Sequence, residues 1–103
     1  MRHENKVRLI EFVSYLYVSS IDGFTIRVSN LPEEADEQDL HDLLDPYGRI
    51  IRLYLSKDKI THTSRGIAYI TFNDKRNAHM AMESLNGYRY GQLILQIEWA
   101  KEK

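Results

Sequence analysis

The sequence predicts an α+β fold with the element order strand, helix, strand, strand, helix, strand. Four segments alternate apolar and polar residues with the period of two that is typical of half-buried strands. Two further segments repeat apolar residues every three or four positions, as amphipathic helices do, and turn or capping residues separate all six. In a chain of 103 residues, this order predicts a ferredoxin-like split βαβ sandwich (β-α-β-β-α-β), a four-stranded antiparallel sheet with two helices on one face.

The predicted strands define an inward and an outward set of side chains. The strands cover residues 24–29, 50–55, 66–72 and 93–99. The inward set is Ile26, Val28, Leu53, Leu55, Ala68, Ile70, Phe72, Leu95 and Ile97. The outward set is Thr25, Arg27, Ser29, Arg52, Tyr54, Ile67, Tyr69, Thr71, Ile94, Gln96 and Glu98. Because both helices should cover the inward face, the outward face is expected to be bare and to carry the function.

Capping residues delimit the two predicted helices. The first helix begins after Asp36, has Asp39 near its positive end, and ends before Pro46 and Gly48. Its apolar stripe is Leu40, Leu43, Leu44 and Tyr47. The second helix is capped by Asn73 or Asp74 and ends at the Asn86-Gly87 pair. Its apolar face includes Ala78, Ala81, Met82 and Leu85.

Composition and local pattern exclude several classes of protein. Without cysteine, disulfides and thiolate metal sites are impossible. The four histidines, His3, His41, His62 and His79, are scattered without metal-ligand spacing, and no phosphate-cradling glycine loop or nucleophile motif occurs. We therefore expect neither catalysis nor a cofactor. The apolar-rich stretch 7–18 is too short, and too charged at Arg8 and Glu11, to span a bilayer, so a soluble cytoplasmic protein without a membrane partner is expected.

The net charge of −1 conceals a strongly polarised distribution. Seven of the fifteen acidic residues lie close together: Glu33, Glu34, Asp36, Glu37, Asp39, Asp42 and Asp45. The rest of the chain then has eight acids against fourteen Lys and Arg, a net charge of +6. The acids are either the solvated face of one helix or a surface that repels nucleic acid and attracts a basic partner.

Residues 1–22 form a separate N-terminal extension, and residues 23–103 form the domain. Leu9, Phe12, Val13 and Leu16 would share a helical face, whereas residues 15–18 also suit a strand. Neither period prevails. An apolar segment of this kind packs on its own domain or on a partner.

The third strand carries a family signature. It reads Arg65-Gly66-Ile67-Ala68-Tyr69-Ile70-Thr71-Phe72. This sequence resembles the octapeptide of the RNA-recognition-motif family. Residues 26–31 resemble the family's hexapeptide, which normally has an aromatic residue where Arg27 stands. Ile67 replaces a second usual ring, which leaves Tyr69 of the three platform aromatics.

The resemblance implies that the bare sheet face binds single-stranded RNA. Tyr69 would stack on an unpaired base, Gly66 would allow close backbone approach, and Arg65 would bind phosphate. With fewer rings, we expect weak, salt-sensitive binding of low sequence specificity. The candidate RNA-binding residues are Arg27, Ser29, Arg52, Tyr54, Lys57, Lys59, Arg65, Ile67, Tyr69, Gln96, Glu98 and Lys101. Tyr69 could instead be only a good strand former, and Arg27 an ordinary surface charge.

Three segments are similar to the g-subunit family of eukaryotic translation initiation factor three, namely 25–31, 54–59 and 93–101. Where that family has Thr-Thr-Gly, this chain has Ile60-Thr61-His62, and it lacks the family's N-terminal cysteine cluster, so a fragment or divergent form is expected. The resemblance implies a monomeric domain within a complex. Its partners would be mRNA or rRNA, the small ribosomal subunit and other subunits of the factor. The alternative is a protein-protein interaction domain that binds through its acidic helix or N-terminal segment.

Overall fold

The computed structural model describes residues 24–100, so the predictions for residues 1–22 and for Lys101 lie outside the described part. The strands are β1 (Thr25–Ser29), β2 (Ile50–Lys57), β3 (Ser64–Phe72), β4 (Arg89–Tyr90), β5 (Leu93–Ile94) and β6 (Gln96–Trp99). The helices are α1 (Glu37–Leu44), followed by a short 3-10 turn (Asp45–Tyr47), and α2 (Lys75–Leu85). Within residues 24–100, no helix is long and apolar enough to cross a bilayer.

The main sheet has the order β2-β3-β1-β6, with every neighbouring pair antiparallel. Its inward side chains and the apolar stripes of both helices form one core. The buried members are Ile26, Val28, Leu31, Leu40, Leu44, Leu55, Ala68, Ile70, Phe72, Ala78, Ala81, Leu85, Leu95 and Ile97. Both helices therefore cover one face, as the period-two and helical patterns predict, and the split βαβ fold is confirmed.

The predicted helix starts are confirmed at atomic detail. Asp36 caps α1: its Oδ1 accepts from the Asp39 N–H at 2.9 Å, while the Asp39 Oδ2 accepts from the Asp36 N–H at 3.0 Å. This reciprocal capping box satisfies two amide donors that a helix start leaves unpaired. Asp74, rather than Asn73, caps α2, where its Oδ1 accepts from the Arg76 N–H at 2.8 Å. That bond, helped by the Arg76 side chain, lowers the pKa of the Asp74 carboxyl.

The predicted last strand, residues 93–99, is divided in the structure. Residues 93–94 pair with β4 in a separate hairpin, and only β6 joins the main sheet. The division falls at Leu95, whose N–H donates to the Tyr88 carbonyl at 2.9 Å and whose carbonyl accepts from the Gly87 N–H at 2.8 Å. The hairpin turn begins with Gly91 at φ +66°, a conformation that favours glycine at the first central position of a two-residue turn.

The loop between β2 and β3 is shorter than the predicted strands 50–55 and 66–72 would leave it, because β2 extends to Lys57 and β3 starts at Ser64. Asp58 organises it: the carboxylate accepts from the Ile60 N–H at 2.9 Å, and the Asp58 N–H donates to the Thr63 carbonyl at 2.7 Å. His62 adopts φ +64°, the left-handed conformation for which glycine is the usual residue. The turn therefore forms without the glycine found in the related pattern.

One end of the outward face is not bare, contrary to prediction. Thr25 and Thr71 are paired across β1 and β3, and their exposed fractions are 2% and 0%. Their hydroxyl groups hydrogen-bond to each other at 2.7 Å. This mutual bond removes the penalty for burying two polar groups, so the closed end is compatible with a stable sheet.

We expect the threonine pair to behave as a coupled unit. Thr25→Val or Thr71→Val alone leaves one buried hydroxyl without its partner and should cost about 1–3 kcal/mol in the free energy of unfolding. The double variant removes both polar groups and should lose clearly less than the sum of the single variants. Urea unfolding of all four proteins measures the difference. Additive losses would show that the two hydroxyl groups are not coupled.

Gly66 makes the closest backbone approach in β3. Its φ is +77°, and a Cβ there would meet the Leu31 carbonyl oxygen at 2.9 Å. The Leu31 N–H also donates to the Gly66 carbonyl at 3.0 Å. The backbone that approaches Gly66 closely is therefore that of Leu31, just after β1.

Gly66→Ala should destabilise the fold more than Gly87→Ala. Both positions have positive φ, which costs an L-residue roughly 1–2 kcal/mol. Gly87 has open space around its missing Cβ, whereas Gly66 adds a steric conflict with Leu31 worth about 1–3 kcal/mol more. Chemical denaturation measures both losses, and equal losses would contradict the packing argument.

Candidate nucleic-acid interface

A single row of side chains crosses all four strands of the main sheet on its outward face. The antiparallel registers pair Tyr54 with Tyr69, Tyr69 with Arg27, and Arg27 with Glu98. Neighbouring strands lie about 4.8 Å apart, so adjacent members of the row are within reach of one another. The row places two rings and an ion pair side by side on the surface opposite the helices.

The two tyrosines form a small aromatic platform. Their ring centroids are 6.4 Å apart, and the ring planes differ by 27°. Both side chains are half-buried, so part of each ring faces solvent. The sequence placed Tyr54 among the candidate RNA-binding residues, and the structure brings its ring beside that of Tyr69. Two such rings can each stack on an unpaired base without reading its sequence.

Arg27 occupies the position where the family pattern has a ring, and it is paired with Glu98. The Arg27 Nη1 lies 3.4 Å from the Glu98 Oε2, and the exposed fractions of the two side chains are 32% and 55%. The sequence alone does not indicate that these two residues form an ion pair. Their pairing makes this half of the row electrically neutral, so Arg27 alone does not replace the lost ring by charge.

A second row runs beside the first. Ile67 pairs with Ser29, and Ser29 pairs with Gln96, whose carbonyl accepts from the Ser29 hydroxyl at 3.4 Å. Next to these residues is a polar groove of about 230 Å³. Its lining consists of Arg27, Ser29, Asn86, Gln96, Ile97 and Glu98. The aliphatic Ile67 widens the platform toward the start of β3.

The sequence did not identify Asn86 as a site residue, because the pattern placed it only as a helix end. In the structure its Oδ1 accepts from the Ile97 N–H at 2.8 Å, which ties the end of α2 to the outer edge of β6. The Asn86-Gly87 pair in the sequence indicates the end of a helix, but it does not predict where the Asn86 side chain points.

The predicted basic residues do not all lie on the open face. Arg52 pairs with Thr71 and is half-buried at the closed end of the sheet. Lys57 forms an ion pair with Glu37 of α1 at 3.0 Å, so its charge is directed toward the acidic helix. Lys101 lies beyond the described residues.

Lys59 and Arg65 are exposed near the tip of the sheet. The neighbouring Asp58 carboxyl has a lowered pKa, chiefly because it accepts the backbone N–H groups of Ile60 and Thr61, with a smaller contribution from the Arg65 charge. Asp58 is therefore anionic at neutral pH. Its negative charge partly offsets the positive charge of Arg65, and Lys59 adds a positive charge in the loop.

The sequence of this chain matches known families over most of the domain. The model for the RNA recognition motif matches residues 26–96. The G subunit of eukaryotic translation initiation factor 3 from Homo sapiens is 48% identical over 80 residues, which are 78% of this chain and 25% of that protein. The G-B form of the same subunit from Xenopus laevis is also 48% identical, over 78% of this chain and 26% of that protein. The chain thus spans about a quarter of the length of these relatives.

A solved structure extends the comparison to three dimensions. The Rna15 RRM with bound RNA (GU) superposes with a TM-score of 0.70 at 28% identity, over 76% of this chain and 83% of that one. The family model and the superposed structure thus point to the same fold. This chain belongs to the RNA recognition motif family.

Proposed function

We propose that residues 23–103 are an RNA-binding module that holds single-stranded RNA against the outward face of the sheet. The observation that carries the proposal is the row Tyr54, Tyr69, Arg27 and Glu98, which crosses four strands with its polar and aromatic groups turned away from the helices. Unpaired bases need flat rings and polar edges on one surface, and this row supplies both.

The relatives support a place for the module in translation initiation. The domain is homologous to the G subunit of eukaryotic translation initiation factor 3. On that basis the module acts in the cytoplasm as one domain of a multi-subunit initiation factor, among its other subunits. There it contacts mRNA or rRNA on the small ribosomal subunit, and it contributes binding rather than catalysis.

Binding should be weak and sensitive to salt. Two rings replace the usual three, and the Arg27 charge is offset by Glu98 at 3.4 Å. Contacts to phosphate then come mainly from exposed residues such as Arg65 and Lys59. A dissociation constant tighter than about 10⁻⁷ M for a short single-stranded RNA at physiological salt would contradict this expectation.

Tyr69→Ala should weaken RNA binding roughly 5- to 150-fold, because it removes one base-stacking surface. Tyr88→Ala is the matched control, since Tyr88 is 48% exposed but belongs to the segment between α2 and β4. Fluorescence anisotropy with a labelled uridine-rich octamer measures both variants, and NMR of the intact chain maps the residues that shift. Equal affinities for the two variants, or shifts confined to the helices, would refute the sheet-face proposal.

Arg65→Ala should reduce the slope of log affinity against log salt by about 0.7, the value expected when one phosphate contact to a single strand is lost. Lys57→Ala removes an equal charge that is held 3.0 Å from Glu37, so it should change the slope much less. Titrations between about 0.05 and 0.2 M salt compare the two variants. Identical slopes would mean that only net charge governs association.

The alternative function, binding a protein partner, rests on the acidic side of the domain. Glu33, Glu34 and Asp36 line a groove of about 480 Å³ beside the β2–β3 loop, and both glutamates are exposed. If a basic partner docks there, charge reversal at Glu33, Glu37 and Asp42 should disrupt association with the factor while Arg27→Ala and Tyr69→Ala have little effect. Co-purification with the factor, measured for both sets of variants, separates the two functions.

A further inference from the structure

We propose that the Arg27–Glu98 pair, with the groove beside it, selects guanine at one position of the bound RNA. The inference rests on the proposed RNA-binding function and adds a specificity to it. Its starting point is that an arginine stands where the family pattern has a ring and that a carboxylate from β6 lies 3.4 Å from it.

The electrostatics of the pair favour a neutral ligand over an anion. A phosphate approaching Arg27 also meets the negative charge of Glu98, which opposes binding at this short range. An uncharged base edge does not meet that repulsion, because the donors of the guanidinium and the acceptors of the carboxylate both find complementary groups. The pair is suited to read a base rather than to hold the RNA backbone.

The pair can open at little cost. Both side chains are partly exposed, and the contact joins one guanidinium nitrogen to one carboxylate oxygen. Exposed ion pairs of this kind stabilise a fold by only about 0–1 kcal/mol. A base can therefore enter between or beside the two groups without disturbing the sheet that positions them.

Guanine is the base whose edge matches this pair. Its N1–H and N2–H groups are adjacent donors that fit the two oxygens of a carboxylate, and its O6 and N7 are acceptors that fit an arginine fork. Adenine and cytosine each offer an amino donor with an acceptor nitrogen beside it, which would face the carboxylate. Uracil offers one N–H between two carbonyl groups, so it has the poorest fit.

The groove supplies the remaining contacts. Its volume of about 230 Å³ is of the scale of one base, and Gln96, Ser29 and Asn86 add polar groups to its lining. Tyr69 lies next to Arg27 in the register and offers a ring on the opposite side from Glu98. A base over this part of the row would therefore direct its polar edge toward β6.

The test uses the complete chain with uridine octamers that carry guanine, inosine, adenine or cytosine at one central position. The wild-type protein should bind the guanine octamer roughly tenfold more tightly than the uridine octamer. Inosine lacks the 2-amino group, so it should lose much of this preference. Glu98→Gln should abolish the preference, while Glu83→Gln, an exposed α2 glutamate 3.6 Å from His79, should leave it unchanged.

Arg27→Lys is a second variant that keeps the charge and removes the planar fork. It should reduce the guanine preference without changing the salt dependence of binding. NMR spectra of each variant verify that the fold is retained.

Each alternative result has a distinct meaning. If Glu98→Gln tightens binding to all octamers equally, Glu98 only opposes phosphate and the inference is overturned while RNA binding stands. Binding without any dependence on the central base also overturns it. If no octamer binds the sheet face, the proposed function itself fails, and the inference fails with it.

Discussion

The pairing of β1 between β3 and β6 is the constraint on which the rest of the structure depends. Ile26 and Val28 are fully buried under the helices, and they fix the register of this central strand. A slip of one residue would turn both side chains out of the core, so the core excludes it. The same register sets Arg27 between Tyr69 and Glu98. Packing on the covered side of the sheet therefore determines which side chains lie next to one another on the open face.

The outward face is divided into two unlike halves. At one end, the hydroxyls of Thr25 and Thr71 bond to each other and are removed from solvent. At the other, Tyr54, Tyr69 and the Arg27–Glu98 pair remain accessible in part. A ligand on this face therefore has less accessible area than the alternating pattern suggests. Fewer bases can then be held on this face at once.

Local patterns predicted the helices, their caps and the inward side chains well, because each depends on residues a few positions apart. Capping at Asp36 needs only Asp39, and the burial of Ala68 and Ile70 follows from alternation alone.

The Arg27–Glu98 pair joins residues 71 positions apart and depends on strand register, which no local pattern gives. The β4–β5 hairpin was missed because Leu95 keeps the apolar alternation while its hydrogen bonds turn to Tyr88 and Gly87. Lys57 was predicted only as an RNA-binding residue, and its ion pair with Glu37 was not foreseen because Glu37 belongs to another element.

The replacement of a ring by arginine has meaning only together with the residue opposite it. A lone arginine on an open sheet would attract any phosphate and would make binding stronger but less selective. A ring in the same position would stack on any base. An arginine held by a carboxylate does neither, because its charge is offset while its donors keep their directions. At this position the domain has less general affinity for RNA, but it presents hydrogen-bond donors and acceptors in fixed directions. The antiparallel register of β1 and β6 holds these groups in place.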